Sequence, residues 1–512
     1  MRVPLVVADF LDRGQTAFAQ SVAVVDEPVQ PAPPVQTSTY QQLGRRALAW
    51  QAGLDALDVG IGERVAVVSH NSARLLELLH AVPASGRICV PVNFRLRADE
   101  VDYIVSHSGS SVLLVDPELD EPLKAVTAPH RFVLGGETEE VLMRFDVEPR
   151  PWDEPDEDAT ATINYTSGTT ARPKGVQLTH RNIWINAVTF ALHTRAWERD
   201  VYLHTLPMFH CNGWGMPYGL VGLGARQVVL RKVDGAEILR RVDQHGITLM
   251  CGAPTVWNAV LDAAASWPGE IPGRGRVRLV CAGAPPPTRV IQRVGEELGW
   301  EFMQIYGLTE TAPLLTFNRS TPADDDLSAE DRARRLSRAG SPALGARLRT
   351  SESGEVLARS NVVMAGYWNS PQASREVLVD GWFHTGDGGS IDDQGYLCIT
   401  DRKKDVIITG GENVSSIEVE DCLFSHPAVA EVAVIGVPSD RWGETIKALV
   451  VVAPEAQVTE DQLIAYCKER LAGFKAPTSV EFRDSIPRTA TGKIQKFKLR
   501  QEYWQGRERR VN

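Results

Sequence analysis

Three hydroxyl residues, Thr166, Ser167 and Thr169, surround Gly168 in the run Tyr165-Thr-Ser-Gly-Thr-Thr-Ala-Arg-Pro-Lys-Gly175, with Thr170 following and Lys174 near its end. Such a run suits a phosphate. Small residues let backbone N–H groups come close, hydroxyls add donors and the lysine supplies charge. The spacing is not that of a Walker A loop, because no Ser or Thr follows Lys174 directly. Ala161-Thr-Ile-Asn-Tyr165 reads as a short buried strand and Thr179-His-Arg-Asn182 as the start of a helix, so the loop is expected between strand and helix. By composition alone, a solvated surface turn would look the same.

Further segments separate these readings. In order they are Leu206-Pro-Met-Phe-His-Cys-Asn-Gly-Trp214, Ala282-Gly-Ala-Pro-Pro-Pro287, Gln304-Ile-Tyr-Gly-Leu-Thr-Glu-Thr311, Gly381-Trp-Phe-His-Thr-Gly-Asp387, Asp401-Arg-Lys-Lys-Asp405, Gly410-Gly-Glu-Asn413 and Pro487-Arg-Thr-Ala-Thr-Gly-Lys493. The set resembles the adenylate-forming (ANL) superfamily of acyl-CoA synthetases, luciferases and peptide-synthetase adenylation domains, and most of all its fatty acyl-CoA synthetase branch. The likeness runs from about Arg64 to Arg500.

The resemblance implies an AMP-forming acid–CoA ligase that uses ATP, Mg2+ and coenzyme A. A carboxylate is a poor electrophile, so it is first converted to an acyl-adenylate with loss of pyrophosphate. Two anions must meet, and catalysis is mainly positioning and charge neutralisation. On this likeness Thr166, Ser167, Gly168, Thr169, Thr170 and Lys174 hold the ATP phosphates, and Thr166 with Glu310 takes the metal. Gly283, Ala284 and Pro285 form the adenine pocket with Gln304, Ile305, Tyr306, Gly307 and Thr309, Tyr306 stacking on the base. Asp387 takes the ribose, and Arg402 is a second ribose or phosphate ligand. Lys493 binds the attacking carboxylate and the α-phosphate, and His210, Glu310 and Lys493 are the catalytic set.

For the second step the resemblance implies rotation of a small domain about Lys404. Gly410, Gly411 and Glu412 then come close to the pantetheine arm, with Trp442 and Phe474 near the CoA nucleotide. His210, Cys211, Asn212, Trp214 and Ala312 line the acyl pocket. Relatives that activate α-amino acids place an aspartate near the position of His210. This chain has none there, and an unpaired buried ammonium would be costly, which favours a fatty or other non-amino acid. Two other readings are an adenylating enzyme that passes its acid to a carrier protein or amine, and a non-catalytic binding protein. The second should have lost Lys493, Glu310 or Asp387, and all three are present.

The expected fold is α/β: a large N-terminal domain of layered sheets and helices (1–403) and a small mobile α+β C-terminal domain (404–512). Arg64–Ser69, Ile88–Val92 and Ser111–Val115 read as strands with helices between them, a βαβ cadence that implies a parallel sheet. Thr321 to Arg338 reads as a solvated loop or short exposed helix. Thr459-Glu-Asp-Gln462 is a capping box opening a helix to about Leu471. A length of 512 residues allows about three domain-sized cores, and the net charge of −11 argues against a nucleic-acid partner. Seven scattered cysteines with no C-x-x-C pair argue against a disulfide framework or zinc site. No signal peptide or integral membrane segment is expected; the expected setting is the cytoplasm, with a homodimer as an expected assembly.

Overall fold

The computed structural model describes residues 1–166, 172–402, 405–409, 412–439, 441–489 and 492–505. The expected βαβ cadence is present. Strands Arg64–Val68, Ile88–Val92 and Ser110–Val115 run parallel, with helices Ala73–Ala84 and Ala98–Ser108 between them. Val65, Ala66, Val67 and Val68 are all buried, an unbroken apolar run of the kind required of a strand covered on both faces. Local chemistry sets the helix limits. The Ser72 hydroxyl accepts the Leu75 N–H at the start of the first, and Gly109 ends the second in the left-handed region at φ 64°.

This sheet has seven strands, and Thr160–Thr166, Lys174–Thr179 and Gly366–Tyr367 complete one edge. Here the structure corrects the sequence expectation. Lys174–Thr179 is a strand paired antiparallel to Thr160–Thr166, so the Ser/Thr/Gly run joins two strands of a hairpin and does not lead straight into a helix. Val176 and Leu178 are buried on one side of this six-residue strand, a pattern too short to stand out before the Thr179 helix start. That helix start is as expected: Thr179 caps His180–Thr194 in a capping box with Asn182.

A second sheet of nine strands has at its centre the parallel strands Val201–His204, Leu249–Gly252, Arg278–Cys281 and Glu301–Tyr306. Their C-terminal ends feed the segments 205–215, 253–255, 282–287 and 307–312, and the carboxyl edge of such a sheet is where ligands bind in open α/β folds. A third, antiparallel sheet contains Trp382–Ile391 and Leu397–Arg402. The fourth begins with Ile407–Thr409 and is built on the long hairpin Val429–Ser439 and Gly443–Val452, with its own apolar core. Helix Glu460–Arg470 packs on it, opened by the expected Thr459–Gln462 capping box. The charged stretch 321–338 forms helix Ala329–Leu336 and is less solvated than its composition suggests, because Asp324 is buried and paired with Arg335 at 2.8 Å. Among the described residues all seven cysteines are free, and no helix is long and apolar enough to cross a membrane.

Candidate active site

The hairpin places Thr166 directly opposite Lys174. Ser167, Gly168, Thr169 and Thr170, expected to hold phosphates, lie outside the described residues. The Lys174 ammonium sits 4.9 Å from the centre of the Tyr367 ring, an attractive cation–π arrangement. Tyr367 reaches this place because Gly366–Tyr367 pairs with Val176 and Gln177 on the neighbouring strand. Its hydroxyl donates to Glu310 Oε1 at 2.9 Å, and the Glu310 carbonyl accepts the Met364 N–H at 2.8 Å. Burial and the adjacent carboxylate keep the Tyr367 hydroxyl protonated, so it serves as a donor. Sequence reasoning missed Tyr367; its signal is an isolated Gly-Tyr-Trp tripeptide far along the chain.

Across the cleft the Tyr306 hydroxyl donates to Asp387 Oδ2 at 2.8 Å. The Asp387 N–H donates to Thr385 Oγ1 at 3.1 Å, and Asp387 stands opposite Arg402 across two antiparallel strands. The Arg402 side chain lies outside the described residues. Gly283 adopts φ 89° with open space where a Cβ would sit, and Gly283 and Pro285 are exposed with Ala284 half-buried between them. These residues form an accessible rim beside Tyr306. Two neighbours in the same group serve the fold visibly. Gln304 donates to the carbonyls of Leu336 at 2.6 Å and Arg338 at 3.3 Å in the amide orientation that satisfies them. A Cβ on Gly307 would lie 1.5 Å from the Pro313 carbonyl oxygen, so that position admits only glycine. Ile305 is buried, and Thr309 opens the short turn that carries Glu310.

Residues 211–214 form an unusual turn. Cys211, Asn212, Gly213 and Trp214 take φ of 45°, 52°, 58° and 60°, four consecutive residues in the left-handed region. A buried polar network holds this conformation. Asn164 Nδ2 donates to Asn212 Oδ1 at 3.0 Å, and Asn212 Nδ2 donates to Thr162 Oγ1 at 2.9 Å. Asn186 Nδ2 donates to the Trp214 carbonyl at 3.1 Å, and the Leu314 N–H donates to Asn186 Oδ1 at 3.2 Å. Asn71, also missed from sequence, donates to the carbonyls of His204 and Leu206, both at 3.0 Å, and accepts the Met208 N–H at 2.8 Å. Cys211, Trp214 and Ala312 are buried in the large core, and the Cys211 thiol faces the Thr309 carbonyl at 4.0 Å.

His210 borders this turn, and the structure brings Lys493 to it. Burial first, then the Lys493 ammonium, push the His210 imidazole down to about 4, so it is neutral at pH 7. Gly492 is pressed against segment 253–255: at φ 83°, a Cβ on it would fall 2.5 Å from Thr255 Oγ1. Lys493 is carried on the turn that follows strand Ser479–Phe482 of the last sheet, and Gly492 beside it contacts segment 253–255, which follows a strand of the second sheet. Of the residues expected to serve the second step, Lys404, Gly410 and Gly411 lie outside the described residues, and Glu412 opens strand Glu412–Val414. Trp442 and Phe474 are 47% and 49% exposed, high values for aromatic side chains.

The donor set fits a divalent cation shared with phosphates. Among the described residues no cluster of three or more His, Cys, Asp or Glu could hold a metal alone, whereas Glu310 offers one carboxylate beside Lys174 and Tyr367.

Comparison with known proteins gives the family. Residues 11–368 match the AMP-binding enzyme family and residues 418–493 the AMP-binding enzyme C-terminal domain. The chain belongs to the AMP-binding enzymes. It is 37% identical to a 2-methylpropanoate–CoA ligase of Humulus lupulus over 539 aligned positions, covering 97% of this chain and 95% of the relative. It is 38% identical to a feruloyl-CoA synthase of an Amycolatopsis species, covering 91% and 94%. Among solved structures, an anthranilate–CoA ligase in complex with anthranoyl-AMP superposes with a TM-score of 0.87 at 26% identity, covering 98% and 99%. This is an enzyme of the acyl-CoA synthetase class.

Proposed function

We propose that the chain joins a compact, neutral carboxylic acid to coenzyme A in two steps on one cleft, and that the residues gathered there take the roles their placement suits. The observation that carries this reading is Lys493 close enough to act on His210, and the Tyr306–Asp387 and Tyr367–Glu310 hydrogen bonds support it. In the first step a carboxylate oxygen attacks the α-phosphorus of ATP, the bond to pyrophosphate breaks, and pyrophosphate leaves. Lys493 supplies positive charge where the two anions meet, Lys174 attracts the departing phosphates, and Asp387 accepts from the ribose hydroxyls. His210 is neutral and offers the acid a hydrogen bond without adding charge. Glu310, oriented by the Tyr367 hydroxyl, and Thr166 would hold Mg2+, which when bound neutralises phosphate charge. In the second step the CoA sulfur attacks the acyl carbon, the bond to the AMP oxygen breaks, the thiol proton passes to solvent, and AMP leaves.

Two observations support a compact acid. Trp214 is 3% exposed within the large core, so a long tail directed past it would have to displace a packed indole. The relatives named above act, by name, on 2-methylpropanoate and feruloyl groups. The break between the two domains is set at 403/404, between strand Leu397–Arg402 of the third sheet and strand Ile407–Thr409 of the fourth. The free cysteines suit a reducing compartment, cytoplasmic in this reading, although an Arabidopsis relative is named as peroxisomal. A homodimer completes the proposal.

The test is pyrophosphate release across a panel of 2-methylpropanoate, ferulate, anthranilate and straight-chain acids, with and without CoA, with mass spectrometry of the products. Lys493→Ala should lower adenylation by about 10²–10⁴ and leave thioester formation from synthetic acyl-adenylate near normal. An equal fall in both half-reactions would remove Lys493 from its role. AMP appearing without a CoA thioester would move the acceptor away from CoA.

A further inference from the structure

Whatever brings Lys493 to the cleft must also let it leave, so contacts at the seam between the small C-terminal domain and the rest of the chain should be specific yet breakable. One contact has this character. Asp421, on helix Ser416–Phe424, accepts the Thr288 N–H on Oδ1 at 2.9 Å and the Thr288 hydroxyl on Oδ2 at 3.0 Å. Thr288 follows the Gly283–Pro287 rim directly, so both oxygens of one small-domain carboxylate grip one residue beside the adenine side of the cleft. Around it Arg289 Nη1 donates to the His426 carbonyl at 3.4 Å, and Phe424 packs against both the second-sheet core and the small-domain core. The other arm of the same seam is Gly492 against Thr255, next to Lys493.

We propose that Asp421 is a positioning residue: its paired hydrogen bonds to Thr288 latch the small domain in the orientation that delivers Lys493 for adenylation. The latch rests on the two-step reading above. The contact is partly solvent-accessible, and water can replace each bond as it breaks, so the latch biases the orientation without locking it. A seam made only of apolar contact would lack that directionality, and a buried ion pair would cost far more to open. Removing the latch should lower the population of the Lys493-delivered state. Adenylation needs that state and thioester formation does not.

Two measurements test it. The first compares acid-dependent ATP–pyrophosphate exchange with thioester formation from synthetic acyl-adenylate and CoA. Asp421→Ala should reduce exchange about tenfold, the scale of a charge-assisted pair of hydrogen bonds, and leave thioester formation unchanged or faster. Thr288→Val keeps the N–H and the volume but loses the hydroxyl, so it should reduce exchange about threefold and cause no further loss on top of Asp421→Ala. The second needs no activity: amide hydrogen exchange followed by mass spectrometry. Both variants should raise exchange in segment 488–496 around Lys493, as well as in 286–293 and 416–426. Equal loss in both half-reactions, or protection of 488–496 unchanged in both variants, would overturn the latch. A wild-type enzyme that forms no adenylate from any acid would refute the functional reading, while the hydrogen-exchange result would still decide the latch.

Discussion

The left-handed turn after His210 makes a quantitative demand on Asn212. Its side chain is 2% exposed, bonded on Oδ1 and Nδ2 to Asn164 and Thr162, and its backbone sits at φ 52°. Asn212→Ala removes both bonds and puts a Cβ-bearing residue with no local hydrogen bond into the left-handed region. Two lost bonds at about 1 kcal/mol each and about 1 kcal/mol of backbone strain give a destabilisation of roughly 3 kcal/mol. Asn212→Gly loses the same bonds but accepts the conformation, so it should recover about 1 kcal/mol of that loss. Urea unfolding followed by tryptophan fluorescence reads the stability term, because Trp214 lies two residues along the same turn. The kinetic counterpart is a fall in kcat/KM for the acid with KM for ATP unchanged, since the side chain of Asn212 is bonded to Asn164 and Thr162 and not to the Tyr306–Asp387 pair. The reasoning fails if Asn212→Ala stays within about 0.5 kcal/mol of wild type, or if glycine is worse than alanine there.

Other residues give sharper single readouts. Tyr367→Phe removes the donor to Glu310 but keeps the ring under Lys174; adenylation should slow about tenfold with little change in melting temperature, and an unchanged rate would show that Glu310 needs no such orientation. Gly307→Ala forces a Cβ against the Pro313 carbonyl and should cost about 3 kcal/mol or more, read as a lower unfolding midpoint. Burial pushes His80, His180 and His204 down from 6.5 to about 4. As pH falls below 6.5 the unfolded chain takes up these protons first, so the stability they supply is complete above that value and is lost progressively between 6.5 and about 4. Melting temperature should therefore drop between pH 7 and pH 5, and a flat profile there would contradict neutral burial.

What the sequence makes legible here is whatever chemistry or local geometry writes into neighbouring residues. The turn that ends at Lys493 and the Thr179 and Thr459 capping boxes depend on contacts within a few positions, and their residue types show it. The strand Lys174–Thr179 was hidden because six residues starting Lys-Gly carry too little alternation to outweigh the helix start behind them. Asn71 and Tyr367 were hidden for a different reason. Asn71 meets the Leu206 carbonyl across 135 positions, and Tyr367 meets Glu310 across 57. Their value comes from sheet order, which no local pattern encodes. Asn212 was legible as a member of the acid-side motif, yet its amide is engaged inside the protein, holding the turn that presents its neighbours.

In the proposed two-step reading, the His210–Lys493 pair gives a reason for a lysine that moves. Attack of a carboxylate on a phosphate brings negative charges together, and a cation beside a neutral imidazole suits that encounter. An imidazolium there would repel Lys493 and weaken its approach. Burial is the larger cause of the low His210 pKa and the Lys493 ammonium the smaller. In the proposed reading the acid meets a neutral imidazole, and the positive charge comes with the small domain. In the proposed second step the nucleophile is a thiol and the electrophile a carbonyl, so a cation on the α-phosphate is no longer required. On that reading, carrying the charge on a separate small domain, held by breakable polar contacts such as Asp421–Thr288, would let one set of fixed residues serve both reactions.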